Sequence, residues 1–183
     1  MIRDARGEDA AAILGIYAPV VRGSVATFEL EPPSVEEMRA RIAGVTERYP
    51  WLVFEGASGV VGYAYAASYH SRPAYAWTCE VSVYVGEDSR GTGAGKALLR
   101  ELLARLTASG FVVAIARIAL PNDASVRLFE AHGFEHYGTA RGIGYKLGRW
   151  VDVGEWQREL SPRGPTPNPP SPGIGAGRSG EGS

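Results

Sequence analysis

The fold is decided by a strand-like segment that runs through a glycine-rich turn into an apolar helix. Its sequence is Val83-Tyr84-Val85-Gly86-Glu87-Asp88-Ser89-Arg90-Gly91-Thr92-Gly93-Ala94-Gly95-Lys96. Leucines then recur at helical spacing and form one apolar face, at Leu98, Leu99, Leu102, Leu103 and Leu106. The pattern predicts a strand over Tyr75–Val85 and a helix over Gly93–Ser109, which Gly110 ends.

The start of this helix has the features of an anion site. Unpaired backbone N–H groups at a helix N-terminus attract anions, and glycine lets a phosphate group approach them closely. Lys96 and Arg100 lie near the start, although the helix dipole favours cations at the other end, and the last turn of the predicted helix has none. A bound polyanion explains this placement, whereas a glycine-rich connection without a ligand is the alternative.

Two common phosphate-binding motifs do not fit the turn. A Walker A loop needs Gly at position 90 and Ser or Thr at position 97, where this chain has Arg90 and Ala97. The Rossmann spacing fails as well, because Lys96 or Leu98 stands where its third glycine belongs. The remaining pattern is Arg-x-x-Gly-x-Gly after a strand.

The rest of the chain alternates between strand and helix patterns, which predicts an α/β fold with a mixed sheet and helices on both faces. Ser34-x-x-Glu37 has the form of a capping box at a helix start. The other predicted helices are Glu8–Ala18, Ser34–Arg48 and Asp123–His132, and the other predicted strands are Met1–Ala5, Trp51–Glu55, Val60–Ala67, Val112–Leu120, Phe134–Leu147 and Trp150–Leu160.

Composition excludes several classes of function. The chain of 183 residues has 19 Lys and Arg against 20 Asp and Glu, so we expect no nucleic acid partner bound through bulk charge. Its one cysteine, Cys79, excludes an internal disulfide, and its three histidines are too dispersed for a Cys/His zinc site. The longest uncharged run, Gly56–Ser71, is too polar to span a membrane. We therefore expect a cytoplasmic protein without a metal or a membrane partner.

The C-terminal segment differs from the rest of the chain. Residues 161–183 contain six Pro, six Gly and four Ser and almost no large apolar side chain. Such a segment cannot bury enough surface to offset its ordering entropy. We therefore predict one domain over residues 1–160 and a disordered tail over 161–183.

Several motifs, taken together, resemble a known family. Arg90-x-x-Gly93-x-Gly95 after Val83-Tyr84-Val85 resembles the acetyl-CoA pyrophosphate loop of the GNAT acetyltransferase superfamily. Five further segments occur in the order of the phosphinothricin N-acetyltransferase group, whose relatives acetylate methionine sulfoximine and methionine sulfone. They are Tyr49-Pro50-Trp51-Leu52-Val53, Ala74-Tyr75-Ala76-Trp77-Thr78, Leu120-Pro121-Asn122-Asp123, Ser125-Val126-Arg127 and Trp150-x-Asp152-Val153-Gly154-x-Trp156-Gln157.

The resemblance covers residues 1–160 and implies more than the patterns do. It implies a GNAT-type mixed, mostly antiparallel sheet of six or seven strands with four helices on both faces. It also implies a homodimer, acetyl-CoA as co-substrate, and a small-molecule amine substrate. The expected function is N-acetylation of the α-amino group of a small amino acid analogue, a reaction that detoxifies herbicides or antibiotics of this type.

Amide formation from a thioester requires a neutral amine, so a nearby carboxylate can act as general base. Between Cys79 and Val85 the odd positions are apolar, and the opposite face has the lone carboxylate Glu80. By itself, Glu80 could equally be a solvated glutamate on a sheet face. The resemblance places the catalytic glutamate of the family at this position, so we predict that Glu80 is the general base.

The resemblance also implies the donor-binding residues. The backbone at Val83, Tyr84 and Val85 is expected along the pantetheine, with an N–H group near Val83 as oxyanion donor. The pyrophosphate is expected at Arg90, Gly91, Thr92, Gly93, Ala94, Gly95 and Lys96. Asn122 and Ser125 are expected to contact the pantetheine, although both residue types also suit the start of a helix.

Acceptor-binding residues follow from the resemblance in the same way. Arg72 can pair with a carboxylate or phosphinate through two hydrogen bonds, while Phe28, Tyr75 and Trp77 could serve substrate binding or core packing. The full expected set is Phe28, Arg72, Tyr75, Trp77 and Ser82. Phe129 occupies a position where the family has Tyr or His and cannot donate a proton, so the amine's own proton, water or Tyr84 remain as acids.

Two other functions are compatible with the sequence. The acceptor could be a protein or another amine, although Arg72 argues against a polyamine. The chain could also be a catalytically weak module that binds coenzyme A.

Overall fold

The computed structural model describes residues 1–57 and 59–164, so the predicted tail lies outside the described residues from position 165 onward. Four helices are present, and all four were expected: α1 Ala10–Gly23, α2 Val35–Thr46, α3 Ala94–Ala108 and α4 Asp123–Glu130. The strands are β1 Ile2–Asp4, β2 Trp51–Gly56, β3 Gly59–Ser68, β4 Thr78–Val85, β5 Val113–Ala119, β6 Glu135–Lys146 and β7 Arg149–Glu159.

The seven strands form one sheet in the order β1-β2-β3-β4-β5-β7-β6. Neighbouring strands are antiparallel except for β4 and β5, which are parallel. The predicted α/β class, with a mixed and mostly antiparallel sheet, is confirmed.

Two hydrophobic cores cover the two faces of the sheet. The leucine face of α3 and Phe129 of α4 pack with Cys79 and Val81 of β4 on one side. Ile13 and Tyr17 of α1 and Ile42 of α2 pack with aromatic residues of β2 and β3 on the other. Because successive side chains of a strand alternate between faces, β4 contributes to both cores.

The predicted strand over Tyr75–Val85 is wrong at its N-terminal end. Residues Pro73–Tyr75 form a 3₁₀ turn instead, in which Tyr75 N–H donates to the Arg72 carbonyl. Pro73 occupies the first position of the turn, which its fixed φ angle favours. Tyr75 and Trp77 therefore lie before the strand rather than on it.

All four helices end at a residue other than the predicted one, and the differences in α1 and α3 have a physical reason or consequence. Helix α1 continues past Ala18 through the exposed Pro19 to Gly23, because the buried Val21 packs into the core of α1 and α2. Helix α3 ends at Ala108, which places Arg105 in its last turn. The expectation of no cation there was wrong, although Arg105 pairs with Asp4 and Glu101.

The capping box at Ser34 is confirmed, because Ser34 Oγ accepts from Glu37 N–H and Glu37 accepts from Ser34 N–H. Among the described residues, every helix is too short or too polar to traverse a lipid bilayer.

Candidate active site

The turn between β4 and α3 is built from glycines in the left-handed region. Gly91 has φ 77° and Gly93 has φ 91°, a conformation that other residues adopt only with strain. Gly93 is also the N-cap residue of α3. Gly95 faces β4, where an added Cβ would lie 3.4 Å from Val85 Cγ2. These glycines therefore allow the helix start to lie close to the end of the strand.

The charges at the start of α3 favour an anion. The first turn of α3 has no acidic residue, and Arg90, Lys96 and Arg100 are exposed. Thr92 donates its hydroxyl to the Ser89 carbonyl at 2.7 Å, which helps to hold the turn. The N–H groups of the first helical turn lack partners within the helix by geometry.

β4 and β5 pair only over a short length. The parallel ladder joins Thr78 to Val113, Cys79 to Ala114 and Glu80 to Ile115, and then ends. Beyond it, β4 stays paired with β3 as far as Val85, and β5 stays paired with β7 as far as Ala119. In the described residues, no strand pairs with Val81–Val85 on the β5 side. An opening therefore begins at Glu80 and leads toward the glycine turn.

Glu80 lies at the closed end of this opening. Its side chain is 22% exposed, and Oε2 lies 2.5 Å from Nη2 of Arg117 on β5. Ser82, on the same face of β4, lies directly opposite Tyr65 of β3. The structure thus brings together Glu80, Ser82 and the backbone of Val83, Tyr84 and Val85 on one strand beside the opening.

Arg117 belongs to a polar cluster that sequence reasoning missed. It lies directly opposite Glu155 of β7, and the hydrogen bond with Glu80 is the main reason why the pKa of Arg117 is raised. Tyr137 of β6 is close enough to Glu155 and Tyr69 to interact with both electrostatically. Burial first, and then Glu155, raise the pKa of Tyr137. One signal was available, since Arg117 is the single charge in the apolar run Val112–Leu120.

The residues expected at the start of α4 have a structural role. Asn122 begins the helix, and its Oδ1 accepts from the Ser125 N–H at 3.2 Å. Phe129 is buried and packs edge-on against Phe134 at 5.1 Å. Capping is thus observed for Asn122 and Ser125, and a contact with pantetheine stays a prediction.

Phe28 lies in the loop between α1 and α2, and three contacts fix that loop. The Phe28 ring packs on Gly144 of β6 so closely that an added Cβ would lie 2.3 Å from it. Lys146 Nζ donates to the Thr27 carbonyl at 2.7 Å, and Tyr17 hydrogen-bonds to Thr27 Oγ1. Lys146 is buried, and desolvation lowers its pKa.

The remaining acceptor candidates lie in the segment between β3 and β4. Tyr75 is partly exposed and forms ring contacts with Tyr69 and His70. The Trp77 carbonyl accepts from the Val112 and Val113 N–H groups, and Arg72 is exposed. Tyr69 of this segment also acts electrostatically on Arg117 and Tyr137, so the segment lies near the Arg117 cluster.

The described residues also form two concave regions. A cavity of 110 Å³ lies beneath α1 and α2 and is lined by Tyr17, Met38, Arg41, Val45, Trp51, Tyr63 and Tyr65. Tyr65 lies directly opposite Ser82 of β4. The larger cavity, of 380 Å³, includes Val113 and Glu159, which lie at the end of the sheet away from the glycine turn and Glu80's opening.

The chain matches the acetyltransferase (GNAT) domain family over residues 2–154. It belongs to this family. A phosphinothricin N-acetyltransferase from Streptomyces viridochromogenes is 42% identical over 171 residues, covering 93% of this chain and 91% of the relative. An L-methionine sulfoximine/L-methionine sulfone acetyltransferase from Pseudomonas paraeruginosa is 37% identical over 163 residues, covering 88% and 95%.

A solved structure agrees with these relatives. It is the crystal structure of a GNAT superfamily phosphinothricin acetyltransferase from Sinorhizobium meliloti in complex with AcCoA. The match has a TM-score of 0.87 at 40% identity and covers 95% of each chain. The predicted family is confirmed, and the chain is an N-acetyltransferase of the GNAT type.

We expect Cys79 to be unreactive in the folded enzyme. Its thiol is fully buried, and desolvation raises its pKa to about 12, so almost no thiolate exists at pH 8. Titration with Ellman's reagent should detect no thiol in the native protein and one per chain after denaturation. Rapid native labelling at pH 8 would contradict this expectation.

Proposed function

We propose that this chain transfers the acetyl group of acetyl-CoA to the α-amino group of a small amino acid analogue of the phosphinothricin, methionine sulfoximine or methionine sulfone type. The observation that carries the proposal is the opening between β4 and β5, which runs from the glycine turn to Glu80. The substrates named for the relatives supply the acceptor class.

The residues of the opening fit coenzyme A. The pantetheine would lie along the free edge of β4 and hydrogen-bond to the backbone at Val83, Tyr84 and Val85, with Asn122 and Ser125 across from it. The pyrophosphate would lie at Arg90, Gly91, Thr92, Gly93, Ala94, Gly95 and Lys96, where cations and helix N–H groups favour an anion.

A change at Gly93 should weaken coenzyme A binding. Gly93→Ala forces a side chain into the left-handed region at a cost of about 1–2 kcal/mol and distorts the N–H groups that begin α3. Calorimetry should show at least about 10-fold weaker binding of coenzyme A, because displaced N–H groups would lose hydrogen bonds to a charged ligand.

Gly148→Ala is the matched control. Gly148 has φ 75° and open space around it, as Gly93 does, but lies in the turn between β6 and β7. The control should lose similar stability and keep its affinity for coenzyme A. Equal affinities in the two variants would remove the turn from the binding site.

Glu80 would take the proton of the acceptor. The ammonium group must lose a proton before its nitrogen can bond to the thioester carbonyl carbon. Glu80 accepts that proton, directly or through one water, and an N–H near Val83 donates to the carbonyl oxygen as charge develops there. The C–N bond forms, the C–S bond breaks, and the sulfur leaves as a thiolate.

The thiolate does not require an acid from the chain. Phe129 has no proton to give, and burial raises the pKa of Tyr84 well above its usual value, so Tyr84 is a poor donor. Tyr84 also lies within an aromatic stack, 5.1 Å from Tyr63 and 5.3 Å from Tyr17 between ring centres. A proton from the amine or from water is sufficient, because a thiolate is a good leaving group.

The acceptor would lie between the two loops beside β4. Phe28 and Ser82 would contact its side chain, and the exposed Arg72 would pair with a distal acidic group. Tyr75 and Trp77 would complete the wall on the solvent side. The polar residues Arg72 and Ser82, together with the Phe28 loop that three contacts hold in place, support the proposal of a small acceptor.

Glu80→Gln should lower kcat for methionine sulfoximine by at least about 100-fold, the lower end of general-base contributions. Release of coenzyme A thiol between pH 6 and 9 measures the rate. Glu101→Gln is the control, because Glu101 also pairs with an arginine, at 2.9 Å, but lies on α3. A Glu80→Gln enzyme with near wild-type kcat across this range would remove the assignment.

The same assay separates the competing functions. Turnover of peptides or plain amines without turnover of amino acid analogues would favour a protein or other amine acceptor. Saturable binding of coenzyme A without turnover of any acceptor would indicate a binding module. A detoxifying role and the cytoplasmic location follow from the proposed chemistry and from the single cysteine, and both stay predictions.

A homodimer is the proposed assembly, and the edge of the sheet supports it. β6 is the last strand of the sheet, and the end of the β6–β7 hairpin exposes four large apolar side chains. Two of them, Tyr145 and Trp150, pack against each other at 5.3 Å. Exposed apolar patches of this kind mark interaction surfaces. The four residues are Ile143, Tyr145, Leu147 and Trp150.

Size exclusion with light scattering should therefore give twice the chain mass of 19.5 kDa. Trp150→Asp should shift the protein toward the monomer, because the charge would be buried in the interface. Trp150 is 69% exposed in one chain, so the variant should fold. A monomeric wild type at micromolar concentration would reject the dimer.

A further inference from the structure

Arg117 contacts the proposed base but has no part in the proton transfer itself. Its Nη2 atom lies 2.5 Å from Glu80, and its side chain is 49% exposed. It stands on β5, where that strand begins to separate from β4. A guanidinium group has five N–H donors, so the contact with Glu80 leaves further N–H donors on this partly exposed side chain.

The cluster around the pair contains a second carboxylate. Glu155 lies directly opposite Arg117 on β7 and acts on it through its charge, and it also acts on Tyr137. Arg117 is therefore the cation between two carboxylates of different function. Glu80 borders the opening, and Glu155 lies on β7, on the other side of Arg117 from β4.

We propose that Arg117 binds the α-carboxylate of the acceptor while Glu80 receives its α-ammonium group, which makes Arg117 a specificity residue. The inference rests on the proposed function. Glu80 and Arg117 present adjacent negative and positive charges, and an amino acid presents the complementary charges on one carbon. When the amino acid binds, Glu80 exchanges the guanidinium group of Arg117 for the ammonium group of the acceptor. Arg117 exchanges the carboxylate of Glu80 for the carboxylate of the acceptor, so neither side chain is left unpaired.

Arg117 and Glu155 then have opposite effects on the binding of the acceptor carboxylate. Arg117 attracts it through charge-assisted hydrogen bonds, which can be bidentate. Glu155 repels it and competes for the same guanidinium group. An acceptor without a carboxylate gains nothing from Arg117, and Glu155 only attracts its ammonium group.

The test compares methionine sulfone with 3-(methylsulfonyl)propylamine, which has the same chain without the carboxylate. For Arg117→Gln, the ratio of kcat/KM for the amino acid to that for the amine should fall at least about 10-fold, as expected for a lost charged hydrogen bond. For Glu155→Gln the same ratio should rise about 3-fold, as expected for a removed like charge near a surface. Calorimetry on protein saturated with coenzyme A should show the same changes in affinity for methionine sulfone.

Arg105→Gln is the control, because Arg105 is also partly exposed and paired with carboxylates, but lies at the far end of α3. Its ratio should equal that of the wild type. Equal losses for both acceptors in Arg117→Gln would mean that Arg117 only positions Glu80, and would overturn the inference. If Arg117→Gln does not fold, the ratio in Glu155→Gln decides, and a constant or lower ratio rejects the inference.

The failure of the proposed function has a different signature. A wild type that acetylates the plain amine as efficiently as the amino acid is still an N-acetyltransferase, and only the inference is then rejected. A wild type that acetylates neither compound rejects the proposed function and the inference with it.

Discussion

The separation of β4 from β5 after the Glu80–Ile115 pair is the constraint on which the site depends. Backbone groups in a sheet need partners, so two neighbouring strands can separate only if each stays paired with another strand on its other side. β3 holds β4, and β7 holds β5, well beyond the point of separation. The result is a strand edge inside a sheet that can accept an extended ligand, much as an exposed edge accepts another strand.

Much of this arrangement could be predicted from the sequence because local rules determine it. The leucine spacing of α3, the capping box at Ser34 and the glycines at 91 and 93 each have a direct physical meaning. Their order along the chain gave the α/β class and the number of strands and helices. Alternation on β4 also placed Glu80 on the face opposite Cys79 and Val81.

Other features depend on contacts between distant segments and had no local signal. β4 begins at Thr78 rather than at the predicted Tyr75, because Pro73 starts a turn there. The aromatic residues of this segment had favoured a strand. Pro19 did not end α1, because burial of Val21 outweighs one lost hydrogen bond. The pairing of Arg117 with Glu80 required the register of two strands far apart in sequence, and only its unusual charge could have drawn attention to it.

The buried Lys146 has a wider consequence. Its ammonium group is held by the carbonyl before Phe28, and Phe28 itself rests on Gly144 of the same strand. One wall of the proposed acceptor site is thus attached to the outermost strand, whose exposed end is the proposed dimer contact. In the proposed dimer, a partner bound at the hairpin would therefore influence the position of Phe28 through β6, without contacting the acceptor itself.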